Sequence, residues 1–436
     1  MANFVCRVRH LLRLTSAARF QLLPKSASAY SSMAHPLNDF EDNGLLKPGH
    51  YSLQVGAPGP ESLKKIADYL DDASKKLREQ HRFEESLQYG VVPGTHSVRE
   101  AIAQFLTRQY GQPVERDDLF VTSGASSGVE VLMKHYFTQE QYIFAENPTY
   151  PVFAMSINKD QVMKGVPIPI ESDGLNLKVL EEKLKELPET KLTPRRPFRA
   201  AVYLIPTHHN PTGCCYSPEK CNKLVKLARK YDVLIICDDV YNVLSYKADV
   251  SVPGKFEYSP QRLFAYDRKT DPDYKVAPGL RMGWYEAPTH VITSLQDCYL
   301  ANSGSGQTYY VAHLVAEALK SGSIDNHVQM LRTKHKERMD VAISTVEENL
   351  SKYGVTITHP EGGYFLWVKL PENMDSAKIL ELSKERENVT FVKGNLASIC
   401  GDFSNHIRLC IAYYEVDDIR KGVEGLCRVI KSVLEK

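Results

Sequence analysis

From about Leu45 onward, apolar and polar residues alternate between two rhythms. A period near 3.6 places Leu63, Ile66, Ala67 and Leu70 on one face of a predicted helix over residues 61–80, and a second helix is predicted over 98–110. Short apolar runs predict strands at 119–122, 142–145, 200–205 and 233–237. Helical stretches follow the first of these, at 128–136, and separate the last two, at 218–230. Strand and helix in this succession imply an α/β domain whose mainly parallel sheet is flanked by helices. Further on, a long helix over 325–350, an alternating strand at 364–370, a strand near 406–412 and a closing helix suit a smaller α+β domain. The charge-rich stretch 183–199 reads as a solvated helix end and loop.

Composition removes several classes of function. The 54 basic side chains are balanced by 53 acidic ones, so nothing draws the whole molecule to nucleic acid or to an anionic membrane. No apolar run approaches the roughly 20 residues that span a bilayer. Nine cysteines occur without a C-x-x-C pair or metal-ligand spacing, which reads as reduced thiols. Adjacent His208 and His209, taken as strand residues, point to opposite faces and cannot share one ion, so no metal site is expected. The first thirty-eight residues differ from the rest: no acidic residue precedes Asp39, while Arg7, Arg9, Arg13, Arg19 and Lys25 recur among apolar positions such as Phe4, Leu11, Leu12 and Phe20. That is the composition of a presequence for the mitochondrial matrix. The other readings are a disordered basic tail and, with Met33 as a downstream start, a cytoplasmic protein.

Seven short motifs then occur in order: Leu87-Gln-Tyr-Gly90 with Gly94, Thr122-Ser-Gly-Ala-Ser126, Glu146-Asn-Pro-Thr-Tyr-Pro151, Asn210-Pro-Thr-Gly213, Asp238-Asp-Val-Tyr241, Ala277-Pro-Gly-Leu-Arg-Met-Gly-Trp284 and Ile407-Arg-Leu409. Each alone is weak, but their order resembles that of the class I and II aminotransferases, which use pyridoxal 5′-phosphate (PLP) on the fold-type-I scaffold of aspartate aminotransferase. The resemblance implies a large PLP-binding domain with its N-terminal arm over residues 45–310 and a small domain over 311–436, preceded by the segment 1–38. It also implies roles. Asp238 would keep the ring nitrogen protonated so that the ring acts as an electron sink. Tyr241 and Asn210 would hydrogen-bond the ring's phenolic oxygen, and Tyr150 would stack on the ring. Gly124, Ala125 and Ser126, where a strand turns into a helix, would supply backbone N–H groups to the phosphate, with Arg281 gripping two of its oxygens. Tyr89 matches a tyrosine that reaches the neighbouring subunit's phosphate, so a homodimer is implied. Arg408 matches the arginine that receives the substrate carboxylate in a fork-to-fork pair. The substrates implied are an amino acid and a 2-oxo acid.

The resemblance breaks at one place. The family carries a strand ending in a segment of the type Ser-x-Ser-Lys shortly before the Pro-Gly-Leu-Arg turn. Here the polar stretch Asp267-Arg-Lys-Thr-Asp-Pro-Asp273 contains Pro272 and no period-two pattern, and no Ser or Thr flanks Lys275. Asp271 and Asp273 would repel a phosphate dianion. In one reading Lys275 still attaches the cofactor and 262–266 serves as the preceding strand. In the other, which the lost pattern favours, the lysine-bearing strand is gone and transamination is impaired. A catalytically silent PLP-binding homologue and a PLP-dependent lyase remain as alternatives.

Overall fold

The computed structural model describes residues 48–160, 163–251, 257–268, 282–302 and 308–435. The presequence candidate, Lys275 and Arg281 lie outside the described residues. Residues Tyr51–Lys436 form one compact unit.

Twelve strands occur among the described residues: β1 Tyr51–Leu53, β2 Leu119–Thr122, β3 Tyr142–Asn147, β4 Lys164–Glu171, β5 Gly174–Leu175, β6 Ala200–Leu204, β7 Val233–Cys237, β8 Gly283–Glu286, β9 Thr356–Ile357, β10 Phe365–Lys369, β11 Val389–Lys393 and β12 His406–Cys410. The first sheet has the order β5-β4-β3-β6-β7, parallel except at the β4–β5 pair. Strands β6 and β7 are buried throughout, as parallel strands covered on both faces must be. A separate antiparallel pair joins β2 to β8. The C-terminal sheet runs β1-β11-β12-β10-β9 and is antiparallel except where β1 joins β11.

Local signals explain the best-defined helices. The helix Pro218–Lys230 begins where the Ser217 side chain accepts the Lys220 N–H and Pro218 takes the first turn. The helix His96–Tyr110 is capped by Thr95 and ends on Gly111 in the left-handed region. The closing helix Val416–Leu434 lays Ile419, Val423, Leu426 and Ile430 into a core shared with β10, β11 and β12.

One expectation is overturned. Residues 262–266, read as a substitute strand, belong instead to the turn and helix Leu263–Arg268. All five side chains from Arg262 to Tyr266 are buried, so the inside–outside alternation of a half-buried strand is missing. Leu263, Phe264 and Tyr266 pack in the same apolar cluster as Val233, Ile235 and Cys237 of β7 and Leu224 and Val225 of the helix Pro218–Lys230. Arg262 anchors this turn through a buried two-pronged pair with Glu286, Nε at 2.5 Å and Nη2 at 2.6 Å from the carboxylate oxygens. Among the described residues no strand joins β7 to the β2–β8 pair.

Candidate active site

Parallel strands leave their C-terminal ends free, and ligands of open α/β sheets collect there. Glu146 lies near the end of β3, the turn 206–213 follows β6, Asp238 follows β7 directly, and Gly124 lies just beyond β2. Asp238 is anchored by its backbone N–H, which donates to the Leu204 carbonyl at 2.8 Å.

The Asp238 carboxylate is buried, and Oδ2 accepts the Tyr203 hydroxyl at 2.7 Å. Its Oδ1 is buried without a hydrogen-bond partner among the described residues. Burial raises the pKa of this group, while the Tyr203 hydroxyl pulls it down. Asp238 lines a cavity of about 480 Å³ together with Ser126, Tyr150 and Tyr203. The Tyr203 ring is itself fixed by stacking on Phe153, centroids 3.5 Å apart.

Ser126 stands in the first turn of the helix Ala125–Tyr136, whose opening N–H groups have no acceptor within the helix. Gly124 precedes it with φ +95°, a conformation that side-chain-bearing residues rarely adopt. Gly283 of β8 allows the close approach: a Cβ there would meet Thr122 Oγ1 at 2.4 Å and the Gly124 backbone at 2.8 Å.

A second group surrounds Arg408 on β12, which is buried. Nη1 donates to Asn210 Oδ1 at 3.0 Å and Nη2 to the Gln54 carbonyl at 2.7 Å, with the guanidinium 4.2 Å from the Phe365 ring centre. It forms no ion pair among the described residues, and burial lowers its pKa. Asn210 Nδ2 donates to the Tyr241 hydroxyl at 3.4 Å, and Tyr364 and Phe365 meet the Tyr241 ring edge-on. Because that hydroxyl oxygen accepts from Asn210, its own proton is left to donate elsewhere.

The structure thus draws Ser126, Tyr150 and Asp238 around one cavity, and Asn210, Tyr241 and Arg408 into one hydrogen-bonded set. Tyr89 stands apart, 76% exposed. Asp239 points away from the cavity: Asn242 Nδ2 donates to its Oδ2 at 3.1 Å, and it lines a small void with Arg262 and Glu286. The two histidines are not strand residues as expected but sit in the turn after β6. His208 has φ +50°, its Nδ1 lies 3.3 Å from Cys215 Sγ, and burial pushes it down to about 4. Sequence reading missed Tyr203, whose aromatic character inside a buried strand is no signal by itself. It also missed Glu146, although a carboxylate near the end of an apolar strand needs partners and so marks a polar network.

Asp239 gives a testable pH dependence. Burial pushes its carboxyl up to about 7, against the pull of Thr207 and Asn242. Between its ordinary value and about 7 the folded state binds the extra proton, so stability falls as pH rises through that window and levels off above it. The contribution is on the order of 4 kcal/mol at most. Urea midpoints across pH 4–8 should show this slope, flatter in Asp239→Asn; an unchanged slope would remove the assignment.

These features gather a strand-to-helix turn and a buried carboxylate at strand ends, together with a buried arginine that has no ion pair among the described residues. The chain belongs to the aminotransferase class I and II family, whose profile matches residues 62–426. It is 29% identical over 392 residues to aromatic-amino-acid aminotransferase 1 of Thermococcus litoralis, covering 88% of this chain and 89% of that one. It is 26% identical over 391 residues to 2-aminoadipate transaminase of Thermus thermophilus, covering 89% and 92%. Among solved structures, Pyrococcus horikoshii kynurenine aminotransferase in complex with PMP superposes with a TM-score of 0.76 at 26% identity, covering 96% of this chain and 99% of that chain.

Proposed function

We propose that this chain is built to transfer an amino group between an amino acid and a 2-oxo acid with PLP, and that turnover is impaired in this form by loss of the lysine-bearing segment. The observation that carries the cofactor assignment is Asp238 Oδ1, a buried acceptor without a partner at the wall of a cavity shared with Ser126 and Tyr150. That unpartnered acceptor fits a ring N–H, and the Gly124–Ser126 turn fits a phosphate, so the residues present suit the cofactor. When bound, PLP supplies an electron-withdrawing ring that stabilises negative charge on the substrate's α-carbon.

The protein's own part is positional and electrostatic. Asp238 would hold the ring-nitrogen proton, Tyr150 would cover the ring face, and Tyr241 would donate its free proton to the ring oxygen. Arg408, a buried cation with no acidic partner among the described residues, receives the substrate carboxylate beside Asn210. The family resemblance assigns Arg281, which lies outside the described residues, and Tyr89 from a second copy to the phosphate. Exposed Leu87, Tyr89 and Val91 on one segment support the homodimer. Residues 45–310 form the cofactor-binding part and 311–436 the smaller one. The helix at Leu263–Arg268 supports the impaired reading, since no strand among the described residues leads toward Lys275.

Saturable binding of pyridoxamine 5′-phosphate to the full chain, read by fluorescence, tests the site without needing a lysine; no binding at millimolar ligand would sink the assignment. Arg408→Lys should weaken N-(5′-phosphopyridoxyl)-L-leucine by roughly 10- to 150-fold, the loss of a charged hydrogen bond of 1.5–3 kcal/mol. An unchanged Kd would place the carboxylate elsewhere. We further propose a matrix-targeted precursor on the basic, acid-free composition of residues 1–38. A fluorescent fusion of residues 1–40 should enter mitochondria, and one that stays diffuse counts against it.

A further inference from the structure

Glu146 is fully buried, and no part of the cofactor or substrate scheme above uses it. A buried carboxylate is tolerated only where donors surround it. Here Oε2 accepts the Ile205 N–H at 2.9 Å and Oε1 accepts the Tyr216 hydroxyl at 2.6 Å. The third neighbour is His209 Nε2, 3.1 Å from Oε2, a close polar contact whose angle falls outside hydrogen-bond geometry.

The other face of His209 settles its tautomer. The Thr212 backbone N–H points at Nδ1 from 3.3 Å, so Nδ1 is an acceptor and the ring proton sits on Nε2, toward Glu146. Thr212 Oγ1, 2.8 Å from the same nitrogen, therefore donates to it, while accepting the Cys214 N–H at 3.4 Å. Backbone bonds close the loop around this ring: Gly213 N–H donates to the His209 carbonyl and His209 N–H to the Cys214 carbonyl. The residue held at the tip is Asn210, fully buried, whose amide has only one possible orientation, with oxygen to Arg408 and nitrogen to Tyr241.

We propose that Glu146, His209 and Thr212 form a positioning relay that fixes the Asn210 amide and, through it, the angle at which Arg408 presents its fork to a substrate carboxylate. The relay starts at the end of β3, crosses to the turn after β6 and ends on β12, so it ties the two large sheets together at the site. It rests on the carboxylate role given to Arg408 above. None of its three members touches the substrate.

Two stable probes separate positioning from mere structural support: N-(5′-phosphopyridoxyl)-L-leucine, and N-(5′-phosphopyridoxyl)-3-methylbutylamine, which is identical but lacks the carboxylate. Calorimetric titration of the full-length protein gives the ratio of the two affinities. In His209→Ala and Thr212→Val that ratio should fall about tenfold, as expected for a misaligned charged hydrogen bond, with the carboxylate-free probe changing far less. His209→Gln, which restores a donor toward Glu146, should recover part of the ratio. Thr212→Val leaves the buried carboxylate and imidazole in place, so it carries the test even where His209→Ala or Glu146→Gln fails to fold. Variants that lose thermal stability but keep the wild-type ratio, or weaken both probes equally, overturn the relay. A wild-type protein that binds neither probe overturns the functional reading and the relay with it, whereas one that prefers the carboxylate-bearing probe while every variant shares that preference overturns the relay alone.

Discussion

Asp238→Asn should weaken pyridoxamine 5′-phosphate binding by on the order of 10²–10³-fold while making the ligand-free protein more stable. Both effects come from one atom. Without ligand, Oδ1 is a buried acceptor with no partner, and burial raises the group's pKa. A raised carboxyl pKa means that the ionised form opposes folding, so this penalty grows as pH rises through the unfolded-state value. An uncharged amide in place of the carboxylate removes the charge and therefore the penalty. With a protonated ring nitrogen at Oδ1 the sign reverses, because the substitution then strips one member from a buried charge pair, at about 3–5 kcal/mol. Calorimetric unfolding of the ligand-free protein at pH 8 and titration with the ligand measure the two halves separately. Asp239→Asn is the control. Its carboxyl is also raised, but it faces Asn242 and the Arg262–Glu286 pair rather than the cavity, so stability changes and ligand affinity stays within a few-fold. Weakened binding in both variants, or in neither, would return the ring-nitrogen assignment to an open choice.

Much of the scaffold is legible in the sequence where an apolar run meets a clear terminator. The expected strands at 119–122 and 233–237 and the helix at 218–230 match β2, β7 and Pro218–Lys230 at both ends. Each is either wholly buried or capped by Ser217 and Pro218, so periodicity and tertiary packing agree. Strand β4 escapes because Pro167 and Pro169 interrupt it, and proline normally argues against a strand with neighbours on both sides. Strand β1 is three residues long, too short to show a period. The site divides in the same way. Residues in motifs, such as Asp238 and Arg408, are visible because type and order coincide. Glu146, His209 and Tyr203 act through contacts between segments distant in the chain, and no local pattern encodes those.

The largest effect expected is on the covalent chemistry of the lysine segment. Borohydride reduction of the chain with PLP, followed by peptide mapping, should leave no pyridoxyl label on Lys275. The turn at Arg262 is locked to Glu286 and continues as a helix whose Leu263, Phe264 and Tyr266 are buried in the apolar cluster that also holds β7 side chains. Converting those residues to a strand would first have to break a buried ion pair, at about 3–5 kcal/mol. In sequence, Lys275 is also flanked by no Ser or Thr and follows Asp271 and Asp273. Label on Lys275 would falsify this reading and restore an ordinary aminotransferase; label scattered over surface lysines would not. The constructive test is to insert, before Val276, a strand-forming segment that ends in Ser-x-Ser-Lys. Among the described residues β7 ends its sheet and β8 pairs only with β2, so each offers an inserted strand an edge to pair with. Each hydrogen bond it gains is worth about 0.5–1.5 kcal/mol, so the insertion should raise the unfolding midpoint rather than lower it. A lysine placed at its end adds proton transfer to a site whose other proposed contacts are already in the sequence, which is worth about 10²–10⁴-fold in turnover. A gain of at least about 10²-fold over the parent chain, assayed with a panel of amino acids and 2-oxo acids, is the expected result. An insertion that folds, binds pyridoxamine 5′-phosphate and takes the label on its new lysine yet stays inactive would show that the defect lies elsewhere than in the lost lysine.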